Sequence, residues 1–256
     1  DDGGSAAGQA YLVFGRDTGW VTGLSLASAD ASFLGEDDDA WAGFTVAGAG
    51  DVNGDGYDDL LVGAPHDSEA GTEAGQAYLV FGGNGGWSMD TPLSMADASF
   101  LGEAADDQAG YGLAGLGDVD GDSLADFLIG SPFNDEAGYG AGQTYLFSGA
   151  GAGWSMDTAL SAADGSFLGE GTEDNAGRRL AGAGDVDGDG YDDLLIGAPR
   201  SSEAALEAGQ AYLVLGIPTC IDNDGDGYGD PGVYTCPAGA TEDCDDTDPL
   251  VRPGAP

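Results

Sequence analysis

The stretch "AGAGDVNGDGYDDLLVGAP", residues 47–65, mixes acidic residues with glycines and then turns apolar. Nearly the same letters, "AGAGDVDGDGYDDLLIGAP", return at residues 181–199. A short apolar run that follows a Gly- and Asp-rich cluster is typical of a β-strand entered from a tight turn. The repetition indicates that acidic turn and strand form one structural unit that the chain uses more than once.

The sequence is built on a repeat of 67 residues. The octapeptide "GQAYLVFG" and its variants mark this interval, as do the tryptophans at 20, 87 and 154 and the acidic clusters that begin at 51, 118 and 185. A period kept by several independent landmarks is the signature of a repeat architecture. The copies of the octapeptide begin at Gly8, Gly75, Gly142 and Gly209.

Each unit predicts four consecutive strands separated by glycine, because its apolar runs are too short for helices. Four short strands per repeat form one blade of a β-propeller. A β-sandwich and an open β-solenoid are the alternatives, but the blade-sized repeat favours the propeller. The strands of one unit are predicted in "GFTVAGAG" from 43, "YDDLLVGAP" from 57, "GQAYLVFG" from 75 and "ASFLGE" from 98.

The predicted fold is therefore all-β, with blades of four antiparallel strands in an incomplete propeller. The chain opens with two strands of an incomplete unit and ends with three strands of another. The predicted units are a partial blade at 1–40, blades at 41–107 and 108–174, and a partial blade at 175–216. Joining the incomplete ends would give three blades, fewer than the four or more of known propellers.

The composition excludes several partners. The 256 residues carry a formal net charge of −42, and all five basic residues are arginine. Nucleic acid and anionic membranes both require a basic surface, so cations are the natural partners of this chain. The compact apolar runs argue against disorder, which so much negative charge would otherwise suggest.

The sequence also bears on location. No apolar run approaches the ~20 residues needed to cross a bilayer, so membrane insertion is not expected. The chain starts at Asp1 without a methionine, and we expect either a processed mature form or an excised part of a longer protein. Cysteines occur only near the carboxyl end, which suggests an oxidising compartment. We expect a secreted or cell-surface protein.

The spacing of the first acidic cluster is that of a calcium-binding loop. Oxygen-bearing side chains stand at positions 1, 3, 5 and 9, a backbone carbonyl is available at position 7, and Gly56 at position 6 permits a sharp turn. Position 12 is Val62 rather than the Glu of an EF-hand, so the loop leads into a strand and is closed by its ninth residue. The predicted ligands are the side chains of Asp51, Asn53, Asp55 and Asp59 and the carbonyl of Tyr57.

Two further loops keep these positions. A solvated turn is the alternative for a single cluster, but three copies in phase favour cation binding, because close carboxylates repel one another without an ion. Ser123 stands at position 6 of the second loop, and serine adopts positive φ less readily than glycine, so we expect this site to be the weakest. The predicted ligands are Asp118, Asp120, Asp122 and Asp126 with the Leu124 carbonyl, and Asp185, Asp187, Asp189 and Asp193 with the Tyr191 carbonyl.

Residues 217–256 fall outside the period and are predicted to form a separate acidic, cysteine-containing metal-binding module. The tail contains neither histidine nor methionine, so its oxygen ligands favour calcium over copper. About one calcium per loop gives four or more in total. The predicted ligands are Asp222, Asp224, Asp226 and Asp230 with the Tyr228 carbonyl, and Asp243, Asp245, Asp246 and Asp248 are further candidates.

A module this small has little core, so we expect a disulfide and bound calcium to order it. Cys236 with Cys244 is the first choice for the bridge and leaves Cys220 spare. All three pairings of these cysteines are compatible with the sequence.

The motif "GDVNGDGYDDLLVGAP" followed by "GQAYLVFG" resembles the FG-GAP repeat of integrin alpha-subunit β-propellers and their bacterial relatives, over residues 8 to 216. The resemblance implies one calcium between the first two strands of each blade and a role in adhesion or surface assembly. The second copy departs from it with "GSP" at 130–132. The tail is similar to a metal-binding repeat of secreted myxobacterial proteins, some of them labelled copper-binding, and more distantly to thrombospondin type 3 calcium repeats, which implies a bacterial source.

Integrin heads close with seven blades, so this chain is either a fragment or a subunit whose loose ends pair with another copy. Exposed strand edges favour such pairing, in a two-chain ring or a head-to-tail filament. We rank the assembling extracellular protein slightly above the fragment of a large adhesin.

Enzyme signatures are weak. The lack of lysine excludes a Walker phosphate loop and a Schiff-base mechanism, and the single histidine, His66, follows the Gly-Ala-Pro turn as a loop residue. A pair of carboxylates of the glycosidase type is also possible among the 47 acidic residues, but nothing singles one pair out.

We expect a non-enzymatic, secreted calcium-binding protein that acts in adhesion or self-assembly. The alternative is a non-catalytic ligand- or glycan-binding fragment of a larger adhesin or secreted hydrolase.

Overall fold

The computed structural model describes residues 5–216, which form β-strands joined by turns and three short 3₁₀ segments. The 3₁₀ segments are Leu26–Ser28, Leu93–Met95 and Leu160–Ala162. The strands are β1 (Gln9–Leu12), β2 (Ala31–Leu34), β3 (Thr45–Gly50), β4 (Asp59–Ala64), β5 (Gln76–Val80), β6 (Thr91–Pro92), β7 (Ala98–Leu101), β8 (Gly112–Gly117), β9 (Asp126–Ser131), β10 (Gln143–Phe147), β11 (Thr158–Ala159), β12 (Gly165–Leu168), β13 (Arg179–Gly184), β14 (Asp193–Ala198) and β15 (Gln210–Val214).

Four sheets follow one another along the chain, and their strands are those expected of propeller blades. The two interior sheets contain the complete sets β3-β4-β5-β7 and β8-β9-β10-β12, each antiparallel and in chain order. The first sheet contains β1 and β2, and the last contains β13, β14 and β15. The all-β prediction with incomplete blades is therefore confirmed, and the described residues form no closed barrel.

The sequence did not indicate β6 and β11, which are only two residues long. Each lies in the connection between the third and fourth strands of its own unit and pairs in parallel with the outer strand of the preceding sheet. Thr91 and Pro92 of β6 pair with Phe33 and Leu34 of β2, and β11 pairs with β7 in the same way. These bridges tie neighbouring blades together.

A glycine bulge ends the first strand of each unit just before the acidic loop. The register between β3 and β4 shifts between Gly48 and Gly50, and Gly50 has φ +80°. The same shift occurs at Gly117 and at Gly184, both with positive φ. Such a bulge strengthens the local twist and redirects the chain, which turns it into the loop.

The core lies between adjacent sheets and combines aliphatic side chains with a group of aromatic rings. Phe100 of β7 is buried against Phe127 and Phe147 of the next blade, with ring centroids 5.5 and 4.6 Å away. Trp154 covers this group from the connection that contains β11. Burial of these rings between blades adds to the aliphatic contacts that hold adjacent sheets together.

The glycine of the Gly-Ala-Pro motif is explained by a close approach of two backbones. A Cβ atom on Gly63 would lie 2.1 Å from the carbonyl oxygen of Gly110, where the next blade begins. Gly130 meets the Gly177 carbonyl oxygen at the same distance. Only glycine allows blades to pack this closely, and the same requirement holds in the "GSP" variant.

We therefore predict that Gly63→Ala lowers the free energy of unfolding by about 1–3 kcal/mol, the usual cost of overpacking a tight contact. Gly48→Ala is the matched control, because a Cβ there meets nothing within 4 Å. Urea denaturation of both variants measures the difference. Equal stability of the two variants would contradict the packing assigned to Gly63.

Candidate metal centres

The three predicted loops are equivalent hairpin loops in the structure. They join the first two strands of each unit: β3 to β4, β8 to β9 and β13 to β14. Each begins after a bulged glycine and ends at a strand whose first residue is the ninth of the loop. The sequence spacing therefore becomes three loops with the same attachment to the sheet.

The first aspartate of each loop organises the backbone. Oδ1 of Asp51 accepts hydrogen bonds from the N–H groups of Gly54 and Asp55, at 2.8 and 3.1 Å, and Oδ2 accepts one from Gly56 at 2.8 Å. Asp118 and Asp185 make corresponding bonds in their loops. A carboxylate that accepts several N–H groups favours a tightly wound loop even without an ion.

The ninth aspartate anchors the loop to the sheet. Asp59 is fully buried; its Oδ2 accepts the N–H of Val52 at 3.0 Å, and its Oδ1 accepts the N–H of Gly82 at 2.7 Å. Gly82 lies just after the third strand, so one carboxylate links the loop with two strands. Asp126 and Asp193 are equally buried and repeat both hydrogen bonds.

Burial disfavours the ionised form of two anchoring carboxylates, Asp59 and Asp126. It raises the pKa of Asp59 above its ordinary range and that of Asp126 to about 7, against the lowering effect of the two backbone hydrogen bonds. Nearby loop carboxylates raise both pKa values further. A cation beside such a group would favour the charged form.

In two loops the structure brings carboxylates close enough to share a cation. One oxygen from each of Asp118, Asp120 and Asp126 lies within 4.8 Å of the other two, and Asp185, Asp187 and Asp193 form the same arrangement. Hard oxygen donors at such distances suit a divalent cation such as calcium. These two clusters could hold a metal.

The fifth-position carboxylates point partly toward their own backbone. Oδ1 of Asp122 accepts the Leu124 N–H at 2.8 Å, and Asp189 accepts the Tyr191 N–H at 3.0 Å. Asp55 makes the same bond to Tyr57 in the first loop. There the third position is Asn53, whose Nδ2 donates to Asp55 Oδ2 at 3.4 Å. In each loop, one oxygen of the fifth-position carboxylate is therefore used by the backbone N–H two residues later.

The sixth position has positive φ in all three loops, with φ +89° at Gly56, +97° at Gly190 and +72° at Ser123. For an L-residue this conformation costs of order 1–2 kcal/mol, a cost that glycine avoids. The expectation that the second site is the weakest stays a prediction, but the backbone strain behind it is present.

Sequence reasoning missed a set of polar links between blades. The Tyr145 hydroxyl of β10 donates to Glu103 Oε2 at 2.7 Å, just after β7, and Tyr212 donates to Glu170 at 3.0 Å. The buried Asn134 Nδ2 donates to Asp107 at 3.0 Å beside the first of these links. Their signal was the Glu of "SFLGE", which occurs three times, and the Tyr of "GQAY" or "GQTY", which occurs four times. These links position blades, and the metal loops lie elsewhere.

The predictions for the tail lie outside the described residues. They concern the three cysteines and the carboxylates between Asp222 and Asp248, and they stay predictions. Within residues 5–216, no helix is long and apolar enough to span a membrane.

Comparison with known proteins follows the same three units. The FG-GAP repeat matches residues 42–80, 109–147 and 176–214, each match covering the first three strands of a unit and the loop between the first two. The chain belongs to the FG-GAP repeat family. The FG-GAP matches place each acidic loop at the same point of the repeat.

Relatives of this FG-GAP chain include integrin alpha subunits. Integrin alpha-IIb of Mus musculus is 31% identical over 195 residues, which is 74% of this chain and 18% of the relative. Integrin alpha-7 of Rattus norvegicus is 33% identical over 159 residues, 62% of this chain and 13% of the relative. Integrin alpha-5 of Xenopus laevis is 34% identical over 174 residues, 65% and 15% respectively. The chain thus spans less than a fifth of these relatives.

The strained sixth position leads to a reciprocal prediction. Ser123→Gly removes the cost of positive φ and should raise stability in calcium by about 1 kcal/mol, whereas Gly190→Ser should lower it by a similar amount. Calorimetric titration and thermal melting of both variants measure this. A loss of calcium affinity in Ser123→Gly would show that the serine side chain, rather than its strain, matters.

The raised pKa of the buried Asp126 leads to a prediction of how folding stability depends on pH in the absence of calcium. Because its folded pKa of about 7 lies above the unfolded value of about 3.9, the folded state holds a proton that the unfolded state releases. In chelator, the melting temperature should fall as pH rises from about 4 to about 7. Asp126→Asn should flatten this slope, while Asp17→Asn, on the exposed surface, should keep it. An unchanged slope in Asp126→Asn would contradict the assignment.

Proposed function

We propose that this chain is a calcium-stabilised FG-GAP repeat unit of a secreted or cell-surface protein that works in adhesion or self-assembly. The observation that carries the proposal is the threefold repetition of one loop geometry, with its buried ninth carboxylate and nearby acidic oxygens. Its similarity to integrin alpha subunits supports an extracellular adhesive role.

Calcium fits these loops better than other metals. Each loop offers only oxygen donors, and a set of five exceeds what a tetrahedral zinc site requires. We assign one ion to each loop, held by side chains at positions 1, 3, 5 and 9 and by the carbonyl at position 7, with at least a fourth ion in residues 217–256. The ions would act structurally, since binding to the folded state alone adds directly to folding stability.

The absence of a catalytic assignment agrees with this role. Asp126, whose pKa is raised to about 7, anchors an acidic loop, and the raised pKa values of Tyr145 and Tyr212 belong to hydroxyls that donate to Glu103 and Glu170. These groups have structural roles, and we assign the chain no enzymatic activity.

An exposed aromatic surface offers a site for an adhesion ligand. Trp41 stacks on His66 with ring centroids 4.0 Å apart, and Phe44 reaches Tyr111 of the next blade at 4.7 Å. Arg178 of the third unit lies 5.1 Å above the Tyr111 ring. The surface therefore crosses three successive units at the ends of the strands opposite the metal loops. Aromatic rings with a flanking arginine suit a protein or glycan ligand.

Removal of calcium tests the proposal. Excess chelator should lower the melting temperature substantially, because carboxylates gathered in the loops would then repel one another. Asp118→Asn combined with Asp185→Asn should reproduce part of the loss in the presence of calcium. Asp17→Asn changes the net charge by one unit without touching a loop and serves as control. An identical melt with chelator and with calcium would refute the calcium role.

A further inference from the structure

In the interior of the chain, each connection between a third and a fourth strand fastens onto the preceding blade. Trp87 packs edge-on against Phe33 at 5.9 Å, and Leu93 is completely buried. The next unit repeats this with Trp154 against Phe100 at 6.3 Å and with the buried Leu160. Together with β6 and β11, these anchors cover the outer strands β2 and β7.

The first connection of the chain has the same anchors, but no outer strand of a preceding blade lies against them within residues 5–216; the Arg16 guanidinium lies over Trp20, 5.5 Å from its ring centroid. Trp20 is 56% exposed and Leu26 is 55% exposed. Their positions in the repeat are those of Trp87 and Leu93. The backbone already has the docked conformation, since Gly23 has φ +78° where Asp90 has +61°, and a 3₁₀ turn starts at Leu26 as it does at Leu93.

The opposite end of the chain has an outer strand without a cover. Beside β12 a groove of about 360 Å³ opens toward the last sheet. It is lined mainly by Phe167, Ile196, Tyr212 and Val214, and Leu168 at its edge is 49% exposed. Phe167 stands at the position of Phe33 and Phe100, which Trp87 and Trp154 cover. The groove therefore exposes the same outer-strand phenylalanine that a Trp-containing connection covers in the interior units.

The chain's own continuation keeps neither anchor. Counted by the 67-residue period, Ile221 and Gly227 stand where Trp154 and Leu160 stand in the preceding unit. Glycine has no side chain to fill the apolar groove, so residues 217–230 are a poor substitute for the Trp-containing connection.

The strands at the two ends are interchangeable. Residues 9–13 and 210–214 are both "QAYLV", and β2 pairs with the first of them, from Gln9 opposite Leu34 to Leu12 opposite Ala31. The outer edge of β15 has no partner strand among residues 5–216. A second β2 can therefore pair with β15 in the same register that it uses with β1, with the same backbone hydrogen bonds and facing side chains.

We propose that a second copy of this chain completes the last sheet: its β2 releases its own β1 and pairs with β15, which has the same sequence, and its residues 20–34 place Trp20 and Leu26 in the groove beside β12. Since the exchange is reciprocal, two chains close into one ring with twofold symmetry. Each chain contributes two complete blades and three strands of a third, so the ring has six blades, within the range of four to eight known for propellers.

The proposal rests on the assembly role given above and adds the residues and the stoichiometry. One polar contact changes: Asp90 and Asp157 accept the hydroxyls of Ser32 and Ser99, whereas Gly23 has no side chain to offer Ser166. Two chains of charge −42 also repel each other, so we expect the dimer to be tighter in calcium and at higher salt.

Sedimentation equilibrium of the full chain in calcium tests the proposal. The wild type should form a dimer that does not grow at higher concentration. Trp20→Ala with Leu26→Ala, called the donor variant, and Leu168→Glu, called the groove variant, should each weaken dimerisation by about 100-fold or more. Leu206→Ala is the control, because Leu206 is 90% exposed and lies outside both surfaces. Circular dichroism and melting in calcium establish that every variant is folded.

Mixing the two variants gives the decisive result. The groove variant has an intact donor and the donor variant an intact groove, so an equimolar mixture has one of the two contacts intact and should form a 1:1 dimer, weaker than that of the wild type, although neither variant dimerises alone. A folded wild type that stays monomeric overturns the inference, as does a variant mixture that stays monomeric. Assembly that both variants retain would also overturn it but leave the proposed assembly role standing. A melt insensitive to chelator would instead count against the proposed calcium role.

Discussion

The structure depends on a buried carboxylate, which belongs to the first residue of the second strand in each unit. Asp59, Asp126 and Asp193 are removed from water, and each accepts one N–H from the start of its loop and one from the end of the third strand. The two hydrogen bonds compensate part of the cost of burying a charge. A cation in the loop would supply the rest. Loop winding, strand pairing and cation binding are thereby linked through one side chain.

This link explains how a chain with so much glycine and so many acidic residues holds its shape. Glycine is required where blades approach, as at Gly63, and where the loops turn, as at Gly56. It therefore cannot be replaced by residues that lose less conformational entropy on folding. The resulting cost is offset by aromatic burial between blades, around Phe100 and its counterparts. If the acidic loops bind calcium as proposed, they add an interaction that depends on the ion, and stability would then respond to calcium.

The sequence was sufficient for the parts of the fold that repeat. The strands, the hairpin loops and the incomplete end sheets were predicted because the 67-residue period places each landmark in register. It was not sufficient for β6 and β11, whose two residues carry no alternating pattern and pair only through contact with a neighbouring blade. The buried state of Asp59 and the Tyr145–Glu103 link were missed for the same reason, since burial between blades is set by tertiary packing.

Hydrogen exchange at the N–H groups of Val52, Val119 and Val186 tests the central claim most directly, because each donates to a buried anchoring carboxylate. If cations complete these anchors, calcium should slow exchange at all three amides far more than at the strand amides of the same blades. Exchange at these amides that is equally slow in calcium and in chelator would contradict the account.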